Sequence, residues 1–96
     1  MRVVYLASNE NKAKAEDALK KDDTVNRGSI TVRSAPSLDM KEDGYFIIYD
    51  GSEEAVKIAD KLLKGVAERY KKAEDVLKKI DEQEDSAIEG FGNILG

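Results

Sequence analysis

The chain has 96 residues, enough for one small domain with a single modest core. Charged residues make up 38% and hydrophobic residues 41%, with one proline, a balance too apolar for a disordered chain. The net charge of −4 without a basic tail argues against nucleic acid as a partner, and the absence of Cys and His excludes a disulfide framework, a thiolate nucleophile and a Cys/His metal site.

Losing histidine also removes the usual general base near neutral pH, so neither a cofactor nor a catalytic constellation is expected. No apolar run reaches membrane-spanning length, and Met1–Val4 enters a strand pattern directly rather than a signal peptide. A cytoplasmic protein is the expectation. Twelve Lys and ten Glu against a single Gln give a thermophile-like bias.

Arg2–Ala7 is a short, nearly continuous apolar run, which predicts a strand buried on both faces, as in a parallel sheet. Ser8, Asn9 and Asn11 then supply helix-capping side chains, and a helix should follow to about Lys21, with a thin apolar face of Ala13, Ala15, Ala18 and Leu19. Asp22–Gly28 reads as a loop. Ser29–Ser34 alternates, with Ile30 and Val32 on one face and Thr31 and Arg33 on the other, which predicts a half-exposed edge strand. Ala35–Gly44 is polar, with room for one helical turn through Leu38–Lys41. Tyr45–Tyr49 is a second continuous apolar run and a second central strand. Asp50, Gly51 and Ser52 lead into a helix whose first turn carries Glu53 and Glu54, where the helix dipole favours negative charge.

From Ser52 to Glu82 the apolar residues Val56, Ala59, Leu63, Val66, Tyr70, Ala73, Leu77 and Ile80 alternate steps of three and four. Ala55, Leu62 and Val76 widen this seam into an arc. The spacing predicts one long C-terminal helix able to form a coiled coil with a second copy. Such a helix would run roughly 45 Å at 1.5 Å per residue, beyond the reach of a small sheet. Its far half, Val66, Tyr70, Ala73, Leu77 and Ile80, is therefore the expected homodimer interface, unless Gly65 folds the helix back as a hairpin. The lysines at 57, 64, 71 and 78 recur every seven residues. They sit four residues after acids in several places, as at Asp60–Lys64 and Glu68–Lys72, which marks a solvated helix surface rather than a phosphate track.

These elements predict an α/β fold: a small three-stranded, mostly parallel sheet of order 2-1-3, with helices packed on it and the long C-terminal helix completing a single domain over residues 1–82. In that sheet the turns after the first and third strands meet at one edge. Ser8, Asn9, Asn11, Asp50, Gly51 and Ser52 would then surround two helix N-termini, an arrangement suited to a small anion or nucleotide. The Ala35–Gly44 connection is short for a parallel crossover, which leaves an antiparallel final pair open.

Residues 83–96 read as a tail. Glu82, Glu84, Asp85 and Glu89 precede Gly90-Phe91-Gly92-Asn93-Ile94-Leu95-Gly96. This stretch resembles the tails of archaeal acidic ribosomal stalk proteins, acidic residues followed by a Gly-Leu/Phe-Gly-x-x-Phe-Gly pattern, with Leu95 where that family has Phe. The resemblance implies a contact with a protein partner, a translation factor in that family, through Phe91, Ile94 and Leu95. The alternative is that these three residues clip onto the domain or onto a dimer mate. The function expected from the whole chain is that of a non-enzymatic interaction or adaptor protein acting as a homodimer.

Overall fold

A computed structural model of the chain describes residues 1–82. Among these the elements run β1 (Arg2–Ala7), α1 (Lys12–Lys21), β2 (Ser29–Ser34), β3 (Tyr45–Asp50), α2 (Glu53–Leu62), β4 (Ala67–Arg69) and α3 (73–82), with short 3-10 turns at Val25–Arg27 and Pro36–Leu38. The four strands form one antiparallel sheet in the order β2-β3-β1-β4.

This corrects the expected three-stranded, mostly parallel sheet of order 2-1-3. β3 lies between β1 and β2 and pairs antiparallel with both, Val4 opposite Ile48 on one side and Ile48 opposite Thr31 on the other. The short connection from Ala35 to Gly44 turns the chain straight back beside β2, with the Ala35 N–H donating to the Gly44 carbonyl at 3.0 Å. β1-α1-β2 and β3-α2-β4 are thus each split by a strand inserted between their two parallel members, the double split βαβ connectivity of ferredoxin-like folds. The helical turn expected over Leu38–Lys41 forms slightly earlier, at Pro36–Leu38.

The continuous apolar runs of β1 and β3 have both faces covered, and two separate layers do the covering. On the first face Val3, Tyr5, Ala7, Ile47 and Tyr49 pack under α1 and α2 with Ala15, Leu19, Ala55, Val56, Ala59 and Leu63. On the second face Val4, Phe46 and Ile48 pack against Ala35 and Leu38 of the β2–β3 connection and Val76 and Ile80 of α3. Continuous burial therefore reports two covered faces and not strand direction.

The long helix expected over Ser52–Glu82 is likewise corrected. α2 stops at Leu62. Gly65 adopts a φ of +82°, a conformation that costs any residue with a Cβ, and the Leu63 carbonyl accepts from the N–H groups of both Val66 and Ala67 at 2.9 Å. The chain then runs back along the edge of β1 as β4, crosses from the first face to the second, and restarts as α3. Gly44 is required by geometry as well. It has a φ of +122°, and a Cβ there would overlap the Ala7 carbonyl. No helix among the described residues is long and apolar enough to cross a membrane.

Candidate functional site

The two turns expected to converge lie at opposite ends of the sheet. Antiparallel pairing sets Arg2 opposite Asp50 and Ala7 opposite Tyr45. Ser8, Asn9 and Asn11 therefore sit at one end, and Asp50, Gly51 and Ser52 at the other. At the first end the Ser8 carbonyl accepts from the N–H groups of Asn11 and Lys12 at 3.1 and 3.0 Å, and its hydroxyl accepts from Asn11 at 3.2 Å. A cleft of about 360 Å³ opens beside them, lined by Leu6, Ser8, Asn11, Asp43, Glu68 and the Gly65 turn. Asp43 and Glu68 bring negative charge to the mouth of the α1 N-terminus, which opposes an anion there.

At the second end Ser52 caps α2, its hydroxyl accepting from the Ala55 N–H at 3.1 Å, with Glu53 and Glu54 in the first turn. Those carboxylates already answer the helix dipole. Gly28 and Gly51 close over the Tyr49 hydroxyl, leaving no room for a Cβ at either position, and that hydroxyl donates to the Val25 carbonyl at 2.7 Å. Burial pushes the Tyr49 phenol up from its ordinary range, with Asp22 and Asp50 adding to the shift. The adjoining cleft of about 280 Å³ is lined by Thr24, Arg27 and Glu54 among others. Ser52 therefore caps α2, the Asn11 side chain makes no capping hydrogen bond at α1, and the structure does not bring the six residues into one site.

Several polar side chains are tied in long-range pairs. The Tyr5 hydroxyl, at the buried centre of β1, donates to Asp60 Oδ1 of α2 at 2.5 Å, and Arg69 of β4 reaches the same oxygen at 3.1 Å. Asp60, read from spacing as a partner of Lys64, thus joins α2, β1 and β4. On the second face the Tyr70 hydroxyl donates to Glu42 at 2.6 Å, while its ring meets Phe46 edge-on at 4.9 Å between centroids. Arg2 grips Asp81 through two parallel contacts of 3.0 and 3.1 Å, fastening the last turn of α3 to the start of β1.

The pKa directions follow these contacts. Burial, then the Asp60 hydrogen bond, raises the Tyr5 phenol well above its ordinary value. The Glu42 hydrogen bond, with burial, pushes Tyr70 up to about 12. The Arg2 fork holds Asp81 below the usual carboxylate value. Phenols held this firmly neutral are poor proton carriers near neutral pH, so these groups act as struts. A signal for the first strut exists in the sequence. A tyrosine at the middle of an apolar strand needs a partner for its hydroxyl, and an acid has to come from elsewhere in the chain.

Of the residues assigned to a dimer interface, Ile80 is buried, while Val66, Tyr70, Ala73 and Leu77 are half-buried. Val66 packs with the first-face cluster, Tyr70, Ala73 and Leu77 pack with the second, and Ile80 is buried within the second. Phe91, Ile94 and Leu95 lie outside the described residues. Among the described residues no group of three or more His, Cys, Asp or Glu side chains is placed to hold a metal ion. Comparison with protein-family models, curated proteins and solved structures returns no match.

Proposed function

We propose that this chain is a non-enzymatic interaction protein whose partner contact is made by the segment after Glu82. The observation that carries the reading is how the apolar residues are used. Both sheet faces are filled, and Met1 is the one exposed large apolar side chain among the described residues. The domain surface up to Glu82 thus offers little of the apolar anchor area on which recognition usually depends. Phe91, Ile94 and Leu95 supply such anchors in sequence, behind an acidic run that would steer them to a basic-rimmed apolar groove.

The similarity of this segment to the tails of acidic stalk proteins supports a translation factor as the partner class. Titration of the full chain onto a purified archaeal translation factor tests this. Saturable binding that weakens with salt, and that Phe91→Ala reduces by about tenfold or more, is the expected result. Equal affinity for wild type and Phe91→Ala would reject the reading.

A further inference from the structure

β2 is the one long strand edge that no other strand covers among the described residues, and its chemistry is that of a sticky edge. Ser29–Ser34 pairs with β3 in unbroken register, without proline, glycine or bulge, and Arg33 is its only charge. Strands of this kind template pairing with further strands. The hydrogen bond from the Ala35 N–H to the Gly44 carbonyl fixes which groups face outward. In an antiparallel ladder, bonded and non-bonded pairs alternate. Arg33, Thr31 and Ser29 therefore spend their backbone groups on β3, while Ile30, Val32 and Ser34 turn theirs to the open side.

Two of those three outward carbonyls are occupied by side chains from the same stretch. The Arg33 guanidinium donates to the Val32 carbonyl at 3.0 Å, and the Ser37 hydroxyl donates to the Ser34 carbonyl at 2.7 Å. Neither contact adds to the core or joins distant elements. Each covers an acceptor that an incoming strand would need, and Arg33 also places a charge on the approach.

We infer that Arg33 and Ser37 together keep the β2 edge closed against a second copy of this chain. The second copy is the occupant that the strand itself specifies. Paired antiparallel about Val32, Ile30 meets Ser34 and Thr31 meets Arg33 of the other copy, so no like charges face each other. All three outward residues of each copy then exchange bonds. With both caps in place, pairing has to displace them first. The device is independent of the segment after Glu82 and of the partner contact proposed for it.

Sedimentation velocity over a concentration series tests the inference, using the full chain carrying Arg33→Thr and Ser37→Ala. Threonine at position 33 favours the strand, so folding is retained while both caps are lost. The double variant should self-associate about tenfold more tightly than wild type, as expected when two competing contacts are removed. Adding Ser34→Pro removes an outward N–H without touching the β3 ladder and should reverse the association. Amide exchange supplies a second readout. Protection at Ile30, Val32 and Ser34 should rise with concentration in the double variant and stay low in wild type. A folded double variant with the wild-type mass profile overturns the inference, as does wild type already protected at those three amides. If the double variant does not fold, Ser37→Ala alone decides by the same exchange readout, with rising protection at Ser34 and Ile30 expected and none contradicting.

Discussion

α2 and α3 carry apolar residues in the same three-and-four spacing, yet α2 covers one face of the sheet and α3 the other. Val56, Ala59 and Leu63 lie with Tyr5 and Tyr49, whereas Val76 and Ile80 lie with Val4 and Phe46. Between them lie the Gly65 turn, the three residues of β4 and a short turn over residues 70–72. The lesson is that spacing fixes which side of a helix is apolar but says nothing about what that side meets. A single rod would have left the second face of β1 and β3 uncovered. Folding back brings Val76 and Ile80 of α3 onto it.

The largest test of this comparison removes one anchor from each half. Leu63→Ala on the first face and Ile80→Ala on the second should each cost about 2–5 kcal/mol, since both side chains are buried. Urea unfolding checks both, and its slope sharpens the comparison. An unchanged slope for Ile80→Ala means that α3 unfolds with the sheet, while a reduced slope means that α3 detaches as its own unit.

Removing the strut between the halves should have the next effect. Asp60→Ala leaves the buried Tyr5 hydroxyl without its acceptor and frees Arg69, and should cost about 1–3 kcal/mol in thermal or urea unfolding. Adding Tyr5→Phe should recover part of that loss, because the orphaned hydroxyl is then gone. Equal stability of Asp60→Ala and wild type would show that α2 and β4 are not held by this contact.

Gly65→Ala should cost less, about 1–2 kcal/mol, because the penalty is conformational alone. A Cβ at this position meets no atom within 4 Å. The variant tests whether helix propensity decides the break. Far-ultraviolet circular dichroism should show no gain in helix, since β4 has a ladder with β1 to keep.

Much of this fold was legible in the residues. The positions of β1, β2 and β3, the edge character of β2 and the start of α2 at Ser52 follow from apolar runs, alternation and capping chemistry. Strand direction was not legible, because a run buried on both faces looks alike in either sense. β4 was hidden for a different reason. Ala67-Glu68-Arg69 is short and polar, and on its own reads as more helix. What makes it a strand is the unpaired edge of β1, a tertiary fact. The six residues expected to form an anion site precede α1 and α2, but their convergence depended on parallel strands.

The smallest effect concerns pH at the end of α3. The folded value of Asp81 lies below its unfolded one, so its contribution is present above the unfolded value and is lost as pH falls through the folded value. Tyr70 has the opposite sign. Its folded value is about 12 against an ordinary 10.0, so its contribution is full below 10.0 and is lost as pH rises towards 12. Unfolding followed against pH should therefore show a shallow acid limb that Asp81→Asn flattens and an alkaline limb that Tyr70→Phe reduces in part, the raised Tyr5 and Tyr49 phenols carrying the rest.

The central claim is that Ser52–Glu82 folds back at Gly65, and nuclear Overhauser contacts test it most directly. Tyr5 and Arg69 face each other across the β1–β4 pair. The neighbouring Tyr70 N–H donates to the Val4 carbonyl at 3.0 Å, so alternation makes Tyr5–Arg69 a non-bonded pair with close Hα atoms. The account predicts a strong Hα–Hα contact between Tyr5 and Arg69, with extended backbone shifts over Ala67–Arg69. Helical shifts running without interruption from Leu62 to Lys72, and no contact between Tyr5 and Arg69, would contradict it.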